Sequence, residues 1–559
     1  MQKYLLTVLI VVANLAFAAN RPIKVIGAGE NAGYKAPFHQ TSNVSLSKDT
    51  IYVLTGLYYV DSTYSLAIQA GTIIFGDSAT AATLIIKRGA KINAIGTKDA
   101  PIVFTSRKPA GQRKRGDWGG VMVLGSAPVN KPEPKIEGGI VEGSYGGNNS
   151  QDSSGVIEFV RIEFPGIVFQ ANNETNGLTL GGVGSKTRIE NVQVSYSNDD
   201  SFEFFGGNVN AKNLVAYAGT DDDFDSDFGY QGKIQFAFGL RDQNIWDAAG
   251  QSNGIESDND DPTTYSTPRT APIFSNVTLV GPQTDTTIVL PIGNKFERAA
   301  LIRRNSQLSI HNSILMGYPM GIEFRNDGTA TSAIGDTLQI RFTSLQAQKS
   351  VFTKQSSSVT VTFDPIAWFT TSDWKNSSAT PRQPSEIKLK NVFNLTLPDG
   401  RPEINSEAIS LGTNYSSTQL VGGFFANVNY RGAFDPSKSR DAQWDAKWTN
   451  YNPQVSNYLD ATLSVGDENL IVNNFDLKQN YPNPFNPSTT IEFNVKSDSK
   501  LNIKLFDVMG REVLDLANGF FKTGVYSIKL DGKNLNSGVY FYQLNVGSTK
   551  ITKQMLLVK

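Results

Sequence analysis

Short apolar runs recur through the chain between residues 71 and 315. Gly-Ala or Gly-Thr pairs separate the first of them, and no stretch shows the period of a long amphipathic helix. Runs of this length with turn residues at both ends predict β-strands. The strands predicted from this pattern span residues 72–75, 83–87, 101–105, 157–164, 189–196, 211–217, 273–280 and 308–315.

Four of the later runs carry an asparagine at the same place, namely Asn191, Asn213, Asn276 and Asn312. The runs that hold the first two begin 22 residues apart (211 − 189), which is the length of one coil of a parallel β-helix. Coils that stack about 4.8 Å apart bury one face of each short strand in a continuous core. Asparagine at a corner can adopt the left-handed conformation and hydrogen-bond to asparagines in neighbouring coils.

We therefore predict an all-β protein whose body is a right-handed parallel β-helix. The body spans residues 70–455, including a capping segment, and follows an N-terminal cap region at 19–69. Trp444 and Trp448 lie near its end. They are expected to cover the last coil, because an open β edge invites aggregation. A large β-sandwich or a propeller is the alternative.

The segment 479–559 has a different texture. Its alternating runs at 490–495, 501–507, 524–530, 538–545 and 549–558 are separated by turn residues about every ten positions. This spacing predicts a small Ig-like β-sandwich. Prolines make the stretch 480–487 rigid at its start, and residues 456–478 are expected to form the linker from the body.

Composition excludes several kinds of chemistry. The chain of 559 residues has no cysteine, which rules out disulfides, Cys-ligated zinc, iron–sulfur clusters and thiol catalysis. It has 2 histidines, too few for a site built on several imidazoles. The 51 Lys and Arg balance the 52 Asp and Glu, so net charge gives no case for a nucleic-acid partner.

Residues 1–18 have the pattern of a secretory signal peptide. A basic start precedes a short apolar stretch and the small-residue site Ala16-Phe17-Ala18. The apolar stretch is shorter than the ~20 residues that span a bilayer, and we expect no transmembrane segment in the mature chain. The predicted location is secreted or at the outer cell surface, reached through the periplasm.

The C-terminal segment carries a family resemblance. The stretches YPNPFNPSTTIEFNV, LFDVMGREVLDL and GVYSIKLDGKNLNSGVYFYQLNVGSTKITKQMLLVK closely resemble the type A C-terminal sorting domain of the type IX secretion system. The resemblance covers residues 479–559 and implies that the type IX machinery of Bacteroidetes recognises this segment as its partner. A terminal Ig-like binding module is the alternative.

The body resembles a second group. The stretches GDWGGVMVLG and GLTLGGVGSKTRIENVQVSYSNDDSFEFFGG are similar to those of uncharacterised Bacteroidetes surface proteins with a pectate-lyase-like β-helix. This resemblance implies the fold and leaves the activity open, since fold alone does not set function.

Acidic residues form the strongest candidate site. Asp200 and Glu203 fall in one predicted coil, and Asp223, Asp225 and Asp227 follow about one coil later. An extended backbone would place the last three on one face about 6.6 Å apart, with Phe224 and Phe228 opposite. So many carboxylates repel one another unless solvent or a cation separates them, and oxygen ligands suit Ca²⁺. We predict a Ca²⁺ site from these five residues, with a solvated acidic turn as the alternative.

Two functions fit these features. The favoured one is a secreted or surface-displayed protein with an adhesive, matrix or carbohydrate-binding role, whose ligand is a polysaccharide or cell-surface glycan. The alternative is a polysaccharide lyase or glycoside hydrolase that uses the same carboxylates. The Asn-Asp-Asp at 198–200 resembles pectin-cleaving hydrolases, but their Gly-His-Gly is absent, and no catalytic residue is assigned.

Overall fold

The computed structural model describes residues 21–170, 173–377, 380–459, 475–480, 482–495, 498–521, 524–533, 535–547 and 549–558. The chain divides into two units, Met1–Val465 and Gly466–Lys559, and each is treated separately below. The predicted signal peptide at 1–18 and residues 460–474 of the predicted linker lie outside the described residues.

A single 26-stranded sheet winds through the first unit, with its strands parallel to their neighbours in adjacent coils. This arrangement confirms the predicted parallel β-helix. Each coil contributes to three columns of strands, which we name the first, second and third sheets. The first sheet contains Ile23–Gly27, Ile51–Thr55, Ile73–Gly76, Ile102–Ser106, Thr278–Val280 and the later halves of Gly155–Glu163, Arg188–Ser195, Asn210–Tyr217 and Lys233–Leu240.

The second sheet carries the candidate site. Its strands are Pro37–Gln40, Leu57–Val60, Thr83–Ile86, Val121–Leu124, Leu178–Gly181, Phe202–Phe205, Phe224–Asp227, Ile255–Ser257 and Arg298–Ile302. Two long strands, Ile314–Phe324 and Ser344–Lys354, pass from the first sheet into the second in the last coils.

The third sheet completes each coil. Its separate strands are Val44–Leu46, Ser65–Gln69, Lys91–Ile95, Ile273–Ser275, Ser309–His311 and Ile340–Arg341. In the middle coils it consists of the early halves of the four strands that continue into the first sheet. Strands therefore turn a corner without ending, which explains why the sequence shows runs of eight residues there.

Side chains that point inward form the core by stacking on their equivalents in the next coil. The rings of Phe202 and Phe224, for example, stack at 5.3 Å between centroids, and both side chains are fully buried. Burying one such side chain contributes roughly 1.5–3 kcal/mol, and the same contact repeats from coil to coil. The hydrophobic core therefore runs continuously through the coils.

The asparagine corners adopt the predicted backbone conformation. All four have φ between 51° and 58°. The Asn213 side chain donates to Oδ1 of Asn191 at 3.1 Å, as the ladder hypothesis requires. The next coil has Phe236 at the same corner with φ 60°, which interrupts the ladder. Asn276 and Asn312 donate instead to backbone carbonyls of residues 430 and 414.

The predicted N-terminal cap region at 19–69 differs from the structure. Residues 23–69 already form the first two coils, with Ile23–Gly27 paired in register with Ile51–Thr55. Gly27-Ala28 is a Gly-Ala corner at the end of the first of these strands, so the sequence carried a signal for coils that the prediction did not use.

Residues 380–459, here called the return segment, run back along the outside of the first sheet. Side chains on successive coils hold its backbone: Asn312 contacts Asn414, Gln235 contacts Ala426, Tyr217 contacts Leu395 and Gln193 contacts Asn450. Its small elements are Pro384–Ile387, the strands Leu389–Asn391 and Asp399–Pro402, and Glu407–Ser410, Arg440–Ala442 and Pro453–Val455. It covers an apolar outer face that would otherwise meet water.

The return segment ends against the early coils. Tyr458 is 3% exposed and packs with Ile51, Phe75 and Val103. Its hydroxyl donates to Glu163 at 2.7 Å, and the Arg113 guanidinium lies 5.0 Å from its ring centroid. The described end of the predicted linker is thus fixed to the β-helix.

Trp444 and Trp448 do not cover the last coil as expected. Trp448 packs edge-on to Phe159 at 5.9 Å, on a middle coil, because the return segment reverses direction. The last coil is covered by aromatic residues around the helix Pro365–Phe369. The ring centroids of Phe369 and Phe352 are 4.4 Å apart. The longest helix of the described residues, Asp327–Ile334, connects the strand Ile314–Phe324 to Ile340–Arg341.

The second unit has two antiparallel sheets with a shared core, in agreement with the predicted sandwich. The sheets contain Asp476–Leu477, Ser488–Val495 and Gly524–Asp531, and Glu512–Phe521, Ser499–Asp507, Gly538–Val546 and Thr549–Leu557. Asp476–Leu477 pairs with Ser488–Val495, so the end of the predicted linker is part of the sandwich. Among the described residues, no helix combines the length and apolarity needed to cross a membrane.

The anchoring of Tyr458 predicts a stability effect. Tyr458→Ala should lower the free energy of unfolding by about 3 kcal/mol, because it leaves a cavity on the early coils. Tyr458→Phe should cost about 1 kcal/mol for the lost hydrogen bond to Glu163. Urea unfolding of the full chain measures both. The neighbouring Leu459→Ala is the control, since Leu459 is 51% exposed, and equal midpoints for both alanine variants would contradict the assignment.

Candidate functional site

A cavity of about 650 Å³ lies on the outer face of the second sheet. Its floor comes from the strands Phe202–Phe205 and Phe224–Asp227 in successive coils, and two loops, 131–145 and 246–250, contribute walls. The charged residues that line it are Arg115, Lys131, Lys135, Glu137, Glu174, Asp199, Asp200, Glu203, Asp221, Asp225, Asp227, Asp247, Asp261 and Arg304.

The parallel register stacks carboxylates on the floor. Glu203 pairs directly with Asp225 in the next coil, and Asp225 pairs with Glu256 in the coil after that. Within the strand Phe224–Asp227, Phe224 and Ser226 are buried inward while Asp225 and Asp227 line the cavity. Strand alternation therefore places Asp225 and Asp227 on the same outer face. The register places Glu203 and Glu256 one coil spacing from Asp225, on either side of it.

A second ladder borders the floor at the turn before these strands. The side chain of Asn176 accepts from the Asp200 N–H at 3.2 Å, and Asp200 Oδ1 accepts from the Asp222 N–H at 2.7 Å. Asp222 Oδ1 in turn accepts from the Asn253 N–H at 2.6 Å. Each side chain thus caps the next coil and is held in a fixed orientation beside the cavity.

Three groups of carboxylates are close enough to share a cation. They are Asp199, Asp200 and Asp221; Asp200, Glu203 and Asp225; and Asp222, Asp225 and Glu256. Within each group, one oxygen from every residue lies within 4.8 Å of the others. Asp200 and Asp225 each belong to two groups, so the groups adjoin along the stack.

Asp223 lies apart from the other predicted ligands. It precedes the strand, and its Oδ1 is 3.0 Å from Nε of Arg241, with both side chains fully buried. Tyr318 donates its hydroxyl to Oδ2 at 3.2 Å. Phe228, expected opposite the aspartates, has φ 49° and lies on the cavity side. Of the five predicted residues, Asp200, Glu203, Asp225 and Asp227 line the cavity and Asp223 does not.

Burial raises the pKa of several carboxyls on and beside the cavity floor. Desolvation and then repulsion from neighbouring carboxylates raise the pKa values of Asp200, Glu203 and Asp225 well above their usual range. Desolvation raises the pKa of Asp222 to about 6 and that of Asp223 to about 7, against the opposing attraction of Arg241. The folded chain thus holds negative charge here at a cost that a bound cation would relieve.

Cations of the protein balance only one end of the stack. Arg303 pairs with Glu256 and with Asp258, the latter at 2.7 Å, and Arg304 lies 3.1 Å from Asp258. In the described residues, no Lys or Arg forms an ion pair with Asp200 or Asp225. The Thr220 hydroxyl also lacks a hydrogen-bond partner, although Thr220 is 2% exposed and lines the cavity.

Several cavity residues escaped the sequence prediction. Glu137 comes from a loop that is far along the chain from the acidic strands. In the structure, Asn176 donates to Glu137 at 2.7 Å and also to Glu203. Trp246 lies on a loop that follows the first sheet and packs edge-on to Phe296 at 6.3 Å. Asp199 and Asp221 carried a signal, because each directly precedes a residue of the turn ladder.

Comparison with known families agrees with this architecture. The profile of the pectate-lyase like beta helix domain matches residues 38–383, and that of the secretion system C-terminal sorting domain matches residues 479–559. No curated protein matches the chain.

The raised pKa values predict how stability depends on pH when divalent cations are absent. Groups with raised pKa hold protons in the folded state that the unfolded chain releases near pH 4. The stability from protonation is therefore complete below about pH 4 and is lost as pH rises through about 6 for Asp222, about 7 for Asp223, and the raised values of their neighbours. In EGTA, the melting temperature should be about 5 °C higher at pH 5 than at pH 8.

Asp225→Asn is the matched variant for this measurement. The amide has nearly the same volume and does not titrate, so the difference between pH 5 and pH 8 should shrink. A melting temperature that is equal or higher at pH 8 in the unsubstituted chain would contradict the electrostatic description.

Proposed function

The chain belongs to the pectate-lyase like beta helix domain family and carries a type IX sorting domain, and on this premise we propose that it binds carbohydrate at the cell surface through its acidic cavity with the help of Ca²⁺. The sorting domain assigns it to the type IX export route, to the cell surface or the medium. The cavity supplies the binding role, which is adhesive or matrix-forming.

The stack of Glu203, Asp225 and Glu256 is the observation that carries this proposal. Ca²⁺ takes six to eight oxygen ligands and tolerates irregular geometry. The adjoining carboxylate groups, with the Thr220 hydroxyl beside them, offer such oxygens at positions fixed by strand register and by the turn ladder. Asp200, Glu203, Asp225 and Asp227 are the ligands we propose, whereas Asp223 serves its ion pair with Arg241.

The remaining walls of the cavity suit a sugar. Tyr145, Phe205, Phe228 and Trp246 contribute aromatic surface next to the carboxylates. Aromatic rings with a few polar groups beside them are typical of ligand sites of a few hundred Å³. The floor carboxylates repel an anionic sugar. A cation bound on the floor would offset their charge, so that an anionic or hydroxyl-rich sugar could approach.

A glycoside hydrolase is the second candidate, and one distance favours it. Asp200 and Glu203 belong to a group whose oxygens lie within 4.8 Å of one another, close to the ~5–5.5 Å between the carboxyl groups of retaining glycosidases. For a lyase mechanism, which needs a free basic side chain, Arg303 and Arg304 are not candidates, because both are paired with Asp258.

Calcium should stabilise the protein. At a free concentration one hundred times its dissociation constant, Ca²⁺ adds about 2.7 kcal/mol to the free energy of unfolding. The melting temperature at pH 7.5 should therefore rise when CaCl₂ replaces EGTA. The double variant Glu203→Gln with Asp225→Asn should lose this rise, and the exposed-site variant Glu403→Gln should keep it. A melting temperature that does not respond to Ca²⁺ would refute the metal site.

A binding role also predicts the absence of turnover. Incubation with acidic and neutral polysaccharides should release neither reducing ends nor unsaturated ends above the level of the double variant Asp200→Asn with Glu203→Gln. Release of reducing ends that this variant abolishes would replace the binding proposal with the hydrolase. Unsaturated ends would indicate a lyase.

A further inference from the structure

The acidic cavity continues into two smaller cavities with the opposite charge. The first, of about 450 Å³, shares Lys131, Lys135 and Tyr145 with the acidic cavity. The second, of about 340 Å³, shares Arg88, Lys135 and Ser144 with the first. Shared walls make the three cavities neighbours along one face, and we name the two smaller ones the basic arm.

Three cations of the basic arm, Arg88, Lys131 and Lys135, form no ion pair among the described residues. Glu137 in the acidic cavity attracts Lys131 without pairing with it. Arg88 donates a guanidinium N–H to the Gly146 carbonyl at 2.8 Å. The Lys131 ammonium lies 4.2 Å from the centroid of the Phe228 ring. Lys87, in contrast, is paired with Asp61 at 2.9 Å and with Glu142 at 2.6 Å.

The charge of the arm is therefore positive. Lys87 and Glu142 offset each other, and the exposed Glu133 is the one unpaired carboxylate in the described lining. Three unpaired cations against one carboxylate leave an excess of two positive charges. Such an excess in a recess attracts anions more strongly than the same charges spread over a flat surface.

A folded hairpin holds Lys135 in place. Lys135 and Ser144 form an antiparallel bridge, and the Ile136 N–H donates to the Gly143 carbonyl at 2.8 Å. Ile136, Ile140 and Tyr145 pack on outward apolar side chains of the second sheet. The basic arm is thus supported by a hydrophobic cluster, and Lys135 faces the groove from a fixed backbone.

We propose that the basic arm binds the oxyanion substituents, carboxylate or sulfate, of a polysaccharide whose chain extends into the acidic cavity. This proposal rests on the proposed function, because the polysaccharide reaches the acidic floor only when bound cations offset the charge of the floor carboxylates. Direct pairing with Arg88, Lys131 and Lys135 holds one stretch of the polymer, and cation-mediated contact holds the next. The arm gives selectivity for anionic over neutral polymers.

The test compares three polymers: polygalacturonate, dextran sulfate and neutral dextran. Their affinities for the full chain are measured by titration calorimetry in CaCl₂ and in EGTA. The variant Arg88→Gln/Lys131→Gln/Lys135→Gln should lose at least tenfold affinity for an anionic polymer. It should bind Ca²⁺ alone at least as tightly as the unsubstituted chain, because Lys131 and Lys135 line the acidic cavity and their positive charge opposes a bound cation. The exposed-lysine variant Lys186→Gln/Lys388→Gln/Lys390→Gln, outside the groove, should bind like the unsubstituted chain.

Each outcome is decisive for the arm. Loss confined to polygalacturonate identifies the oxyanion as carboxylate, and loss confined to dextran sulfate identifies it as sulfate. Unchanged affinity in the triple variant, equal affinity for neutral dextran, or no binding of any polymer would overturn the proposal. If the triple variant loses binding while EGTA has no effect, the arm stands and the calcium function fails. If EGTA abolishes binding and the triple substitution does not, the calcium function stands and the proposal for the basic arm fails.

Discussion

Parallel in-register stacking of coils is the constraint on which the rest of the structure depends. Each strand of the second sheet lies on its equivalent one coil away, so a residue type that recurs at one position becomes a column. Inside the β-helix this produces stacked rings such as Phe202 on Phe224. Outside it produces the column of Glu203, Asp225 and Glu256. The same geometry that stabilises the core thus brings like charges together at the surface.

The turn ladder shows how the fold tolerates this repulsion. Asp200 and Asp222 each accept a backbone N–H from the following coil, an interaction that needs an acceptor oxygen at a corner where the next strand begins. Asparagine serves the same purpose at positions 176 and 253. Both residue types can cap a coil, but only aspartate adds charge. Aspartate at positions 200 and 222 therefore adds charge next to the stack that the capping role alone does not require.

The sequence was sufficient for features that depend on local pattern. Corner asparagines, strand alternation at Asp225 and Asp227, and the sandwich strands all follow from periods of two residues or one coil. Asp223 was assigned to the wrong surroundings because its partner, Arg241, comes from the end of another strand. Glu137, Trp246 and the basic arm come from insertions of unequal length between coils. Their place depends on how each loop folds back, which no repeat encodes.

The return segment determines where a pulling force on its C-terminal end would act on the β-helix. The described residues of the first unit end at Leu459, beside early coils rather than at the last one. A pull on this end loads Tyr458 and its neighbours along the side of the β-helix, so many contacts resist sliding together. Traction applied at the last coil would instead peel one coil at a time. This attachment point therefore resists unravelling of the β-helix.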